Sequence, residues 1–136
     1  MAFADSQASA DIDYGESPAT IELASVAVKG DALGYSAGWK QALATVGSVV
    51  QIRCVAGENG AVGQKITAYF GKCYVNGRFS GATAGGALYV AEGTSNGMYT
   101  QTAPSTTGDA NKIVGYAITS TIAAIVPNAN VDSVAA

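Results

Sequence analysis

The chain has 136 residues, 49% of them apolar and only 12% charged, and a net charge of −3. That length buries roughly two thirds of the surface exposed by the unfolded chain, while a charged fraction about half the usual one leaves the surface to Ser, Thr, Asn, Gly and Ala. With no histidine and two cysteines, Ser-His-Asp and Cys-His arrangements are excluded and a zinc site lacks ligands.

Charge placement narrows the partners. Asp5, Asp11, Asp13, Glu16 and Glu22 all precede the first basic residue, Lys29. An acidic lead without Lys or Arg argues against nucleic acid, whose recognition needs basic charge to displace counterions. No apolar run approaches the ~20 residues of a spanning helix, so no membrane partner is expected. The opening "MAFADSQASADIDYGES" lacks the basic start and apolar centre of a secretory signal. Synthesis and folding in a cytoplasm are expected.

Residues 1–20 carry few large apolar side chains and no period, and are read as an extended acidic arm anchored by Phe3, Ile12 and Tyr14. Two readings stay open: a frayed terminus, or an arm that orders on a partner. Residues 21–136 are read as one β-rich domain. Its runs "TIELASVAV", "SVVQIRCVA", "QKITAYFGKCYV", "ALYV", "KIVGYAIT" and "TIAAIVP" are short, β-branched or aromatic, and separated by Gly and Asn turns. Such spacing predicts an all-β chain, a small antiparallel β-sandwich or β-barrel.

Asn59-Gly60, Asn76-Gly77 and Asn96-Gly97 suit type I′ turns. They predict hairpins in "QIRCVAGENGAVGQKITAYF", in "KCYVNGRFSG" and between "ALYV" and "MYTQT", the last with a polar tip in "AEGTSNG". "GWKQALATVGSVV" has Trp39, Leu43 and Val46 at helical spacing but is short and interrupted by Gly47; strand or loop is preferred to helix. A weak repeat is visible. "GDALGYSAGWKQALA", "VVQIRCVA", "ITAYFG" matches "GGALYVAEGTSNGMYTQTA", "KIVGYAIT", "IAAIVP", each a hairpin opening with Gly-x-Ala-Leu followed by two strands. Two related sheets packed on each other are the structural expectation.

Candidate chemistry is sparse. Glu58, Glu92, Asp31 and Asp109 are the carboxylates available for acid-base work, and Glu58 and Glu92 fall in predicted turns where a solvated charge is ordinary. "GENGAVGQK" has the wrong Gly-to-Lys spacing for a phosphate loop, no Ser or Thr after Lys65, and a strand-turn-strand context. Tyr69, Phe70, Tyr74, Phe79, Tyr89, Tyr99 and Tyr116 lie in predicted strands and are assigned to packing. Trp39, beside Gly38 and Lys40, is the aromatic that fits an interface as well as a core. Cys54 and Cys73 are read as buried thiols, with a disulfide open if their strands are neighbours. No enzyme, cofactor or metal is expected.

The stretch "GGALYVAEGTSNGMYTQTAPSTTGDANKIVGYAITSTIAAIVPN", Gly85 to Asn128, gives the arrangement a recognisable order. A strand beginning Gly-x-x-Leu-Tyr, a hairpin return, an x-x-Pro-Ser loop, Val-Gly-Tyr-Ala and a final apolar strand resemble small phage head proteins. These are capsid decoration or cement proteins and the β-rich base domains of head fibres. The likeness spans about residues 25–128 and is most distinctive in the last third. It implies a structural virion protein on the capsid exterior, made in the host cytoplasm, bound to the major capsid protein as a homotrimer and stapling shell subunits. Phe3, Ile12, Tyr14 and Trp39 are then the candidate contact residues. A receptor- or glycan-binding fibre module, using Trp39, Tyr35 and Tyr99, is the alternative.

Overall fold

The apolar runs form short strands, and no helix is present among the described residues, 3–93 and 96–127, of the computed structural model. Thr94 and Ser95 of the predicted polar tip, and the chain beyond Pro127, lie outside the described residues. In chain order the strands are β1 (Ala4–Asp5), β2 (Asp11–Gly15), β3 (Pro18–Glu22), β4 (Ala32–Tyr35), β5 (Trp39–Gln41), β6 (Cys54–Ala56) and β7 (Lys65–Tyr69). They continue with β8 (Cys73–Asn76), β9 (Phe79–Ser80), β10 (Ala87–Val90), β11 (Tyr99–Thr100), β12 (Ile113–Ala117) and β13 (Ile122–Ile125).

These strands build a six-stranded sheet in the order β11-β10-β12-β13-β8-β2, a five-stranded sheet β3-β7-β6-β4-β5, and a two-stranded ribbon β1-β9. All pairings are antiparallel. The large sheets end in edge strands, so the barrel alternative is set aside for a sandwich. The two sheets are joined at one corner, where the β2–β3 and β7–β8 connections run side by side and each carries the chain from one sheet to the other. Ser17 turns there with φ at 55°, and Phe70 and Gly71 donate their N–H groups to the carbonyls of Ser17 and Glu16. A Cβ on Gly71 would meet that of Glu16 at 2.7 Å; glycine lets the two chains touch where they bend.

The predicted repeat is visible as topology. In one unit β4 pairs with β5 and β6, and β6 with β7; in the other β10 pairs with β11 and β12, and β12 with β13. Each Gly-x-Ala-Leu places its leucine, Leu33 or Leu88, fully out of solvent. Alternation along the strands then divides the core. Ala32, Val55, Cys73, Val75, Leu88, Val114 and Ile125 fill the space between the large sheets. Leu33, Cys54, Ala56, Ile66 and Ala68 point to the far side of the five-stranded sheet, packed with Leu23 and Ala27 of the segment after β3.

Local turn chemistry was overridden in two of the three Asn-Gly pairs. The β6–β7 hairpin forms, but Asn59 accepts a hydrogen bond from the Lys29 N–H at 2.7 Å and Gly60 bridges to Ala27. The hairpin expected in "KCYVNGRFSG" does not form: β8 pairs with β13 and β2, and β9 with β1. Arg78, just past the turn, enters the interior, and Phe79 follows it to β1. "GWKQALATVGSVV" is β5 followed by a bridge between Leu43 and Val50.

The arm belongs to the sheets of this chain. β1 pairs with β9, β2 forms an edge of the six-stranded sheet, and the expected boundary at residue 20 falls inside β3. The physical reason is a buried charge network. Asp5 Oδ1 accepts from Arg78 Nε at 2.9 Å and from the Gln7 N–H at 2.8 Å, and Oδ2 accepts from the Tyr99 N–H at 2.9 Å. Asp31 takes the other side of the guanidinium, Nη2 to Oδ1 at 2.6 Å. The Val28 N–H and the Gln41 amide donate to Asp31 Oδ2 at 2.9 and 2.7 Å. Burial acts to lower the Arg78 pKa, but the charges of Asp31 and then Asp5 outweigh it and the pKa is raised.

Cys54 and Cys73 are free and buried, in strands of different sheets. Burial pushes both thiols up to about 12, with Cys73 adding to the shift at Cys54. Since the thiolate is the reactive form, neither should react with a disulfide reagent at pH 8 in the native protein. Both should react on unfolding in guanidinium; fast native labelling would contradict this burial.

Candidate functional site

The six-stranded sheet presents one row of side chains outward. Register places Tyr14 opposite Tyr74, Tyr74 opposite Ala124, Ala124 opposite Tyr116, and Tyr116 opposite Ala87. The neighbouring row, Val75, Ala123 and Ala117, points into the core. An outward row on an antiparallel sheet is normally polar; this one is aromatic. Tyr14 and Tyr116 are 46% and 48% exposed, and Ile113 of β12 is 58% exposed. Ala124 between the tyrosines is nevertheless fully covered. The Tyr14 and Tyr74 rings lie 5.4 Å apart, and Lys72 Nζ sits 5.5 Å from the Tyr74 ring centre. The Tyr14 hydroxyl donates to Glu16 at 2.6 Å, a bond that raises the phenol pKa.

The four predicted contact residues do not come together. Phe3 is half-buried with its ring 5.1 Å from Phe79, and Ile12 packs on the core between the sheets; both hold the arm in place. Tyr14 stands in the exposed row. Trp39 belongs to the five-stranded sheet, edge-on to Tyr35 at 5.3 Å and to Phe70 at 5.5 Å. Tyr35 is 64% exposed. Tyr99, named with them, is buried, donates to the Gly30 carbonyl at 2.8 Å, and has its pKa raised well above the usual value by burial. Tyr116 is the contact candidate that strand composition hid, because its exposure follows from register across three strands.

Of the four candidate carboxylates, only Glu92 and Asp109 meet. Asp31 is committed to Arg78, and Glu58 accepts from the Thr67 N–H in its turn at 2.6 Å. Gly97 docks on the network: its carbonyl accepts from Arg78 Nη2 at 3.0 Å, and its φ of 77° and the Asp31 carboxylate leave no room for a Cβ. Asn96-Gly97 is therefore a keystone, not a free tip. Glu92 lies in hydrogen-bond reach of buried Asp109, which raises the Glu92 pKa and lowers that of Asp109. Glu92 also lines an open cleft of about 350 Å³ with Phe3, Asp5, Met98 and Tyr99. Among the described residues no three His, Cys, Asp or Glu side chains are placed to hold a metal ion.

Fold and surface together define a small antiparallel β-sandwich with an exposed aromatic sheet face. Compared with known proteins, the chain matches no family model, no curated protein and no solved structure.

Proposed function

We propose that this protein is a non-enzymatic structural virion component that binds the outside of an assembled phage capsid and cements it. Its partner is the major capsid protein, it acts as a homotrimer, and its place is the virion exterior after synthesis in the host cytoplasm. The observation that carries the reading is the tyrosine row of the six-stranded sheet. Tyrosine supplies large contact area with a polar end and is enriched in interface centres. A face with Tyr14, Tyr116 and Ile113 exposed suits coverage by a partner. Three such faces carried by one trimer gain from multivalency, so modest contact per copy suffices.

Mass spectrometry of purified particles, counting this chain against the major shell protein, tests the reading. A ratio of about one to one that survives a density gradient is expected, since quasi-equivalent sites are then filled around the shell. Absence from particles would sink the proposal. A few copies per particle would favour the second reading, a glycan-binding fibre module. That reading draws on the Tyr35–Trp39 pair, an exposed aromatic corner on which a sugar face can stack; glycan-array binding tests it directly.

A further inference from the structure

An asparagine followed by glycine is prone to lose its side-chain amide, because glycine offers an unhindered backbone nitrogen to the carboxamide carbon. The chain holds three such pairs, and the fold secures them unequally. Gly97 is buried, donates its N–H to the Ala42 carbonyl at 2.8 Å, and accepts at its own carbonyl from Ala32 and Arg78. The carbonyl of Asn96 accepts from the Gln7 amide at 3.0 Å. Gly60 exchanges two hydrogen bonds with Ala27, both at 2.9 Å, and the Asn59 side-chain oxygen is held by the Lys29 N–H at 2.7 Å. Gly77 differs. Among the described residues its backbone makes one hydrogen bond, from its N–H to the Thr121 carbonyl at 3.1 Å, and both residues are exposed. Beyond its chain neighbours no atom lies within 4 Å of where its Cβ would be, whereas a Cβ on Gly60 would meet Leu23 at 2.6 Å and one on Gly97 would meet Asp31 at 2.8 Å.

We propose that Asn76 is a site of spontaneous deamidation in the folded protein. Opening one hydrogen bond between two exposed turns frees the Gly77 nitrogen, while freeing Gly60 or Gly97 means undocking a loop from the interior. Local opening ranges from almost no cost at exposed turns up to the cost of global unfolding. The Asn76 side chain is restrained just as lightly, by Nδ2 donating to Asp13 Oδ2 at 3.2 Å in an exposed pair. Hydroxide removes the Gly77 N–H proton, the nitrogen attacks Asn76 Cγ, and Nδ2 departs as ammonia with a proton from water. Water then opens the cyclic imide. Breaking the bond from the Gly77 nitrogen to Cγ gives aspartate, breaking its bond to the main-chain carbonyl carbon gives isoaspartate, and one water is consumed for each ammonia released. Either product exchanges the amide for a carboxylate. Position 76 lies opposite Asp11 of β2 and beside Asp13, and like charges facing each other across strands weaken the pairing. Deamidation therefore loosens the β2 edge.

The test is peptide mapping by mass spectrometry after the full chain has been held for days in mildly alkaline buffer, native and in guanidinium. The mass gain and retention shifts of aspartate and isoaspartate are followed at all three pairs. In the native protein, conversion at Asn76 should run roughly tenfold or more ahead of Asn59 and Asn96. In guanidinium the three should convert at similar rates, since each is then only an Asn-Gly pair. Native conversion at Asn59 or Asn96 that matches Asn76 overturns the proposal, as does a native Asn76 that stays intact while the unfolded chain converts. Asn76→Asp, which installs the charge of the product, should melt below Asn76→Ser, with the gap narrowing in high salt. Equal Tm values at low salt would overturn the loosening of β2.

Discussion

Arg78→Met should cost about 3–5 kcal/mol of stability and lower the Tm by on the order of 10 °C. The methionine matches the aliphatic stem, so the loss is electrostatic. Asp5 and Asp31, with side chains 1% and 0% exposed, would be left in the interior without their cation. A domain with a total stability of about 5–15 kcal/mol feels that strongly. Arg78→Lys keeps the charge but cannot reach Asp5, Asp31 and the Gly97 carbonyl from a fixed planar fork, and should fall between. The triple variant Asp5→Asn, Asp31→Asn, Arg78→Met should recover part of the loss, because no buried charge remains uncompensated. Melting by circular dichroism ranks the four proteins. An Arg78→Met Tm within 2–3 °C of the parent would mean that the network does not hold the arm.

That network also marks the limit of what the sequence discloses. Lys65–Tyr69 alternates in burial as its residues suggest, β10 and β11 pair as read, and the Gly-x-Ala-Leu repeat corresponds to two units of the same strand order. All of these are set by short-range pattern. Asp5 and Arg78 are 73 residues apart, and no periodicity links a carboxylate in an acidic lead to an arginine beside an Asn-Gly turn. The turn residues of Asn76-Gly77 favour a hairpin locally, whereas a hairpin that drew Arg78 away from its two buried carboxylates would cost about 3–5 kcal/mol. The same ion pair turned an arm expected to fray or await a partner into part of the sandwich. The candidate surface was legible only at Tyr14; Tyr116 joins it through the register of β12, β13 and β8, which turns and long-range packing determine together.

The second large effect is expected on the proposed capsid binding. Tyr14→Ser combined with Tyr116→Ser should weaken attachment to capsids at least tenfold while leaving the Tm of the free protein within a few degrees. Both rings are about half exposed in the free chain and outside the two buried cores, so truncation removes contact area that matters only once a partner covers it. Tyr35→Ser is the matched control, equally an exposed aromatic but on the other sheet. Cosedimentation of each variant with shells stripped of this protein gives the comparison. Loss with the tyrosine pair and none with Tyr35→Ser places the shell on the six-stranded face. The reverse pattern would move the contact to the Tyr35–Trp39 corner and remove the ground on which the docking face is assigned. Deleting residues 1–20 is no substitute for these point changes. It removes β1, β2 and most of β3 and strands Arg78 without Asp5, so lost binding would report lost folding, whereas paired serines on a solvent face separate the two.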